Sequence, residues 1–323
     1  MAARLEVRDL TVELPTANGW VRPVADVSFS VNDGESLGIV GESGSGKTML
    51  ALALIGLTPP GARLTGNAVL QIEDREIDLL AATPAEKRDI RGRGIAMIFQ
   101  EPMTALNPVL RIGEQIDEAI RAHDPRLHRS EIRRRTLESM KRAAIPEPEL
   151  RSRQYPHQLS GGLRQRVMIA MALAARPGVL IADELTTALD VTVQKQILEL
   201  LAALRRDLRL SLIFITHDLG VAAQIADRTL VMYAGRIVEE GATNVVLREP
   251  RHPYTEGLLR AAPRLSLQQR LVPIPGTVPA LDALPPGCAF GPRCERHVSD
   301  CDLSVPALRV AGENHEARCI LVP

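Results

Sequence analysis

Cysteine is scarce in this chain of 323 residues: there are four, Cys288, Cys294, Cys301 and Cys319, all close to the end of the sequence. The N-terminal stretch "MAARLEVRDLTVEL" has no long apolar h-region, so the thiols are expected to be reduced or metal-bound rather than paired as disulfides. Charge of one sign is also missing, because Lys plus Arg and Asp plus Glu both number 39. No global field steers the chain onto nucleic acid or anionic lipid, and non-specific nucleic-acid binding is disfavoured. Long hydrophobic runs are absent too. The longest, "VMIAMALAA" from Val167 to Ala175, falls far short of the roughly 20 residues that span a bilayer. The expectation is a soluble cytosolic chain. Aromatic residues are few, with Trp20 the single tryptophan, and no internal repeat or low-complexity tract stands out.

What is present is a chain long enough for two domains, or for one large domain with an appendage. Short β-rich runs, "LEVRDLTVEL", "VADVSFSV" and "SLGIVG", precede a helix beginning near Gly46, and "GIAMIF", "GVLIADE", "SLIFITHD" and "RTLVMYAG" follow. The near-continuous apolar runs "LGIV", "VLIA" and "LIFIT" suit strands covered on both faces by helices, so the core is read as α/β. Between Gln100 and Ser160 the pattern turns helical, and a helical subdomain is expected over about residues 101–165. Its basic cluster Arg133, Arg134 and Arg135 reads as a solvated helix face. After Gly241 prolines crowd in, which divides the chain into residues 1–240 and a loop-rich appendage, 241–323, with little regular structure.

"GESGSGKT" follows the strand "SLGIV" and opens the helix, the context that gives a G-x-x-x-x-G-K-[ST] pattern its meaning. Gly41, Glu42, Ser43, Gly44, Ser45 and Gly46 form a loop whose backbone N–H groups can curl around an anion, and the helix N-terminus adds partial positive charge. Lys47 is placed to reach the β- and γ-phosphates of ATP, and Thr48 to offer a hydroxyl oxygen to Mg²⁺. "VLIADE" delivers Asp183 and Glu184 at the C-terminal edge of a strand, where open α/β sheets bind ligands. Asp183 is expected to hold Mg²⁺ through water, and Glu184 to act as general base on an attacking water.

"LSGGLRQR", Leu159 to Arg166, lies just before the acidic motif and resembles the signature of ATP-binding cassette (ABC) ATPases. The rest of that family's set appears in order: Gln100 resembles the Q-loop glutamine, "TTALD" (Thr186 to Asp190) the D-loop, and His217 in "FITHD" the switch histidine. The resemblance implies a phosphate-loop ABC ATPase core, a mixed sheet with flanking helices, which works as a head-to-tail pair. Ser160, Gly161 and Gly162 would then bind the γ-phosphate held by the partner subunit. His217 would contact the γ-phosphate in cis, and Gln100 would touch Mg²⁺ or the attacking water. Leu163 stands where many relatives have Gln, and Leu185 where Pro is common. The place of the adenine-stacking aromatic falls near Leu14, with Trp20 in the following turn as a possible substitute.

Three stretches narrow the resemblance. "EPMTALNP" after Gln100, "RVMIAMALAARPGVLIADELTTALD", and "HPYTEGLL" leading into "IPGTVPALDALPPGCAFGPRC" are similar to the ATPase subunits of bacterial dipeptide and oligopeptide importers, whose kin import nickel or glutathione. That resemblance implies a second cassette, usually non-identical, two membrane permeases, an extracytoplasmic substrate-binding protein, and a place at the cytoplasmic face of the inner membrane. A nucleotide-gated regulatory or scaffolding cassette is the alternative. The gaps between the four cysteines match neither tight zinc-finger pairs nor a ferredoxin run, so spacing names no metal. The family resemblance implies a [4Fe–4S] cluster, with Zn²⁺ as the alternative, in a segment lying outside the ATP site. His297 and His315 are expected to be surface residues.

Overall fold

The computed structural model of the protein describes residues 3–100, 105–186, 189–261 and 272–322. The chain divides into two compact units, one formed by Met1–Leu5, Val31–Glu35 and Val69–Ile213, the other by Glu6–Ser30, Ser36–Ala68 and Phe214–Pro323.

In the first unit the strands Ile95–Ile98 and Val179–Asp183 pair in parallel, Ile95 opposite Val179 and Ile98 opposite Ala182. Every residue of Val179–Asp183 is buried, as a strand covered on both faces requires. The helical reading of the middle of the chain holds in the helices Ile112–His123, Arg129–Arg142 and Gly161–Leu173. Ile112, Ile116 and Ile120 recur every four residues and are buried, while Glu114, Glu118 and Arg121 on the opposite side are exposed. Arg134 meets Glu131 and Glu138, and Arg135 meets Glu131 and Asp124. The hydrogen bonds from Arg134 and then Arg135 draw the Glu131 carboxyl down to about 2. The expected solvated face is therefore an ion-pair network, with Arg133 turned to donate to the Ser152 hydroxyl at 2.8 Å.

In the second unit the fully buried strand Ser36–Val40 pairs in parallel with Arg228–Tyr233. The chain then reverses through Ala234 and Gly235, both left-handed (φ 46° and 82°), as a two-residue hairpin turn demands. The return strand Arg236–Ala242 pairs antiparallel with Arg228–Tyr233. The C-terminal region is more regular than its prolines suggest. The strand His315–Ala317 pairs with Arg236–Ala242, Glu239 opposite Ala317, and Arg309–Gly312 pairs with His315–Ala317 in turn. These strands are four and three residues long, too short to print an alternating pattern on the sequence. Among the described residues no helix is long and apolar enough to cross a membrane.

Candidate functional site

The phosphate loop is built where the strand Ser36–Val40 ends and the helix Lys47–Leu54 begins. Gly46 makes the turn with φ 102°, and a Cβ there would stand 2.1 Å from the Pro23 carbonyl oxygen. A Cβ on Gly41 would lie 2.3 Å from the Met232 carbonyl oxygen, so backbone packs directly on backbone. The hairpin tip props the loop from below, the Gly235 N–H donating to the Ser45 carbonyl at 2.9 Å. The Lys47 ammonium is buried and donates to the carbonyls of Gly41 (2.8 Å) and Glu42 (2.9 Å) and to the Ser45 hydroxyl (3.2 Å). Ser43, Gly44 and Thr48 are exposed on the open side. A loop of amides at a helix N-terminus around a buried ammonium is an anion cradle.

The second residue of this loop is held from the C-terminal region. The Glu42 N–H donates to the Tyr254 hydroxyl at 2.8 Å, and the Glu42 carboxylate accepts from both terminal nitrogens of Arg293, at 2.7 and 3.0 Å. Arg293 lies between Cys288 and Cys294 in sequence, so the expectation that the cysteine segment stands outside the ATP site is corrected. Sequence reading missed Tyr254 and Arg293. The available signal was a carboxylate inside a phosphate-binding loop, which needs a cation to neutralise it.

His217 is exposed just beyond the strand Ser211–Thr216. Its turn is fixed on both sides: the Thr216 hydroxyl accepts from the Asp218 N–H, and the Asp218 carboxylate caps the helix Leu219–Ile225 through Gly220 and Val221. Trp20 lies in the strand Gly19–Asn32 rather than in a turn, and the Arg63 guanidinium sits 3.8 Å from its ring centroid. One ring face is thus covered by a cation. Leu14 is half-buried.

The first unit carries the acidic motif and the signature. Asp183 is buried at the end of its strand. Glu184 follows with left-handed backbone at φ 46°, a conformation that costs a non-glycine residue about 1 to 3 kcal/mol and clusters at functional sites. The structure brings Gln100 to Glu184, the amide of one donating to the carboxylate of the other at 2.8 Å. Ser160 caps the helix Gly161–Leu173, its hydroxyl accepting from the Leu163 N–H at 3.4 Å. A Cβ on Gly161 would meet nothing within 4 Å, whereas one on Gly162 would press on Val193 at 2.8 Å. The buried Gln165 amide donates to the Leu185 carbonyl and ties the signature helix to the acidic strand's end. Asp190 caps the helix Val191–Leu208. Thr187 and Ala188 of the D-loop, and residues 101–104 after Gln100, lie outside the described residues.

The cysteines gather without forming a metal nest. The Cys288 N–H donates to the Cys301 carbonyl at 2.7 Å. Burial, with smaller contributions from the other thiols, pushes the thiols of Cys288, Cys294 and Cys319 up. Among the described residues no three His, Cys, Asp or Glu side chains converge on a point that could hold a metal ion. As described, the side chains support neither the [4Fe–4S] cluster nor the Zn²⁺ alternative. His297 is exposed as expected and pairs with Asp302 at 2.9 Å. His315 is instead buried, its Nε2 2.7 Å from the buried Glu239 carboxylate, which also accepts from the N–H groups of Arg251 and His252. A lone histidine in a polar sequence gave no sign that a buried carboxylate awaited it.

Residues 24–187 match the ABC transporter family, and residues 238–301 match the oligopeptide/dipeptide transporter C-terminal region. The chain is 46% identical over 319 residues to the dipeptide transport ATP-binding protein DppD of Bacillus subtilis, covering 98% of this chain and 94% of that protein. It is 48% identical over 322 residues to the oligopeptide transport ATP-binding protein OppD of Mycobacterium tuberculosis, covering 99% of this chain but spanning only about half (52%) of the mycobacterial relative. A solved dimeric ATP-binding cassette in a post-hydrolysis state with ADP and Pi superposes with a TM-score of 0.64 at 28% identity, covering 74% of this chain and 98% of that one. With its phosphate loop, signature helix and C-terminal region all in place, the chain belongs to the ABC transporter family, in the group that carries the oligopeptide/dipeptide transporter C-terminal region.

Proposed function

We propose that the chain is the ATP-binding and ATP-hydrolysing subunit of an importer for dipeptides or oligopeptides. The observation that carries this reading is the anion cradle around the buried Lys47, on a chain nearly half identical to peptide-transport ATP-binding proteins along almost its whole length. Lys47 and the loop amides hold the β- and γ-phosphates, and the helix start Ser160–Gly162, exposed at Ser160 and Gly161, takes the γ-phosphate bound by a second cassette. Thr48, Asp183 and Gln100 are oxygen donors suited to Mg²⁺, which screens the phosphate charge when bound. Glu184, oriented by Gln100, draws the proton from the attacking water, and His217 keeps that water aligned with the γ-phosphate. The step is phosphoryl transfer to water, driven by positioning and charge.

In this reading residues 1–240 are the cassette and 241–323 the extension. The partners are a second, non-identical cassette, two transmembrane permeases and an extracytoplasmic binding protein, with this chain at the cytoplasmic face of the inner membrane and no nucleic acid involved. Cargo of the nickel or glutathione type is the second choice. Lys47→Ala is expected to weaken ATP binding at least tenfold in a fluorescent-nucleotide titration and to abolish uptake of labelled peptide in cells. Unchanged affinity would remove the cradle from the mechanism. The four cysteines are proposed as ligands of a [4Fe–4S] cluster, which serves as a structural staple when bound. The support is four cysteines within residues 288–319, with the Cys288 N–H donating to the Cys301 carbonyl. Binding requires them to deprotonate and draw together. Iron and sulfide analysis after anaerobic purification checks this, and protein free of both would end it.

A further inference from the structure

The phosphate loop carries one acid and one base between Gly41 and Thr48: Glu42 and Lys47. On its own it is therefore neutral, a poor start for a cradle meant to hold a triphosphate. The structure supplies the missing charge from the far end of the chain. Arg293 donates two hydrogen bonds to the Glu42 carboxylate, and its side chain is only 4% exposed against 31% for Glu42. Planar, bidentate pairing of this kind is the geometry that fixes a carboxylate's direction as well as its charge.

Arg293 is itself held rigidly. Its Nε donates to the Pro275 carbonyl at 2.8 Å, Nη1 lies 3.3 Å from the Tyr233 hydroxyl, and its backbone N–H donates to the Phe290 carbonyl at 2.9 Å. Phe290 packs on Tyr233 and Tyr254, with ring centroids 5.3 and 5.4 Å apart, and Tyr254 is the residue that accepts the Glu42 N–H. Cys288 and Cys294 pack against the same cluster. The second residue of the phosphate loop is thus gripped at its amide and at its carboxylate by one aromatic cluster bordered by cysteines.

We propose that Arg293 is a positioning residue of the nucleotide site: it neutralises Glu42 and turns that carboxylate away from the phosphates, making the cysteine-bearing segment a working part of the phosphate loop. This rests on the reading of Gly41–Thr48 as the ATP site. Without Arg293 a bare carboxylate remains beside the bound triphosphate and repels it. The cost falls on nucleotide affinity and not on the chemical step, because Arg293 reaches the nucleotide only through Glu42.

The test uses the full chain with Mg²⁺ and a fluorescent ATP analogue, alongside turnover at saturating ATP. Arg293→Gln is expected to weaken binding roughly tenfold, the scale of one uncompensated charge near the phosphates in a partly aqueous site, with saturated turnover within about twofold of wild type. Arg293→Lys, which keeps the charge, is expected to stay within about threefold of wild-type affinity. The double variant Arg293→Gln with Glu42→Gln removes both charges and is expected to recover affinity to within about threefold. Wild-type affinity in Arg293→Gln overturns the proposal, as does equal weakness of the single and double variants, which would mean lost packing rather than exposed charge. If Arg293→Gln is insoluble while the double variant is soluble and binds normally, the unpaired carboxylate is again the cause; insolubility of both counts against it. Failure of the wild-type chain to bind the analogue would instead overturn the ATP-site reading.

Discussion

At the scale of single residues, the proposed general base sits on unusual backbone. Glu184 sits in left-handed backbone, φ 46°, and its carboxylate is met by the Gln100 amide at 2.8 Å. Replacing Glu184 with Gln leaves the size and the hydrogen-bonding partner in place and removes only the ability to take a proton. Turnover is expected to fall at least a hundredfold while ATP binding is retained, so that ATP remains trapped on the protein. Rapid-quench hydrolysis assays with labelled ATP read both quantities, and near-normal turnover would discharge Glu184 as the base. The residue types were legible in "GESGSGKT" and "VLIADE" because phosphate binding demands them at fixed spacing. The strain at Glu184 was not, since no residue type there advertises a positive φ.

At the scale of elements, buried strands were legible because both of their faces must be apolar. "SLGIV", "VLIAD" and "SLIFIT" are fully buried strands in the structure, as their composition implies. The hairpin Arg63–Ile72 with Arg75–Asp78 and the C-terminal strands escaped reading. Arg63–Ile72 is largely exposed or half-buried, and Arg309–Gly312 has no buried residue, so neither leaves a clear alternation in the sequence. What orders the C-terminal strands lies elsewhere in the chain. Glu239, on Arg236–Ala242, accepts from His315 on one side and from the amides of Arg251 and His252 on the other, binding strand, loop and C-terminal hairpin into one knot. A buried carboxylate is tolerated only with its acceptor capacity filled in this way.

At the scale of the whole molecule, the region after residue 240 behaves as part of the unit that holds the phosphate loop, and its folding should be sensitive to pH. His252 is fully buried: its Nδ1 accepts from the Tyr254 N–H, and burial followed by the nearby Arg318 guanidinium brings its pKa down to about 3. The unfolded chain binds the proton from about pH 6.5 downward and the folded chain does not, so His252 contributes stability above that pH and loses it as pH falls. The loss is expected to reach about 2 kcal/mol by pH 5. Denaturant titrations at pH 7, 6 and 5 measure it, and His252→Gln should flatten that part of the slope; an unaltered slope would assign the pH dependence to other groups.

The sequence by itself determined the chemistry and the family. Anion cradles, acidic strand ends and capped helix starts are local devices, each written in a few consecutive residues whose geometry follows from backbone stereochemistry. Only the tertiary structure decided what the late segment does to the early one. Glu42 and Arg293 are 251 residues apart, and no local pattern encodes a pairing over that distance. It arises because the fold packs Tyr233, Tyr254 and Phe290 together and thereby sets a guanidinium against the phosphate loop. Two of the four cysteines, which from sequence stood as an isolated cluster awaiting a metal, border that contact: Cys288 and Cys294.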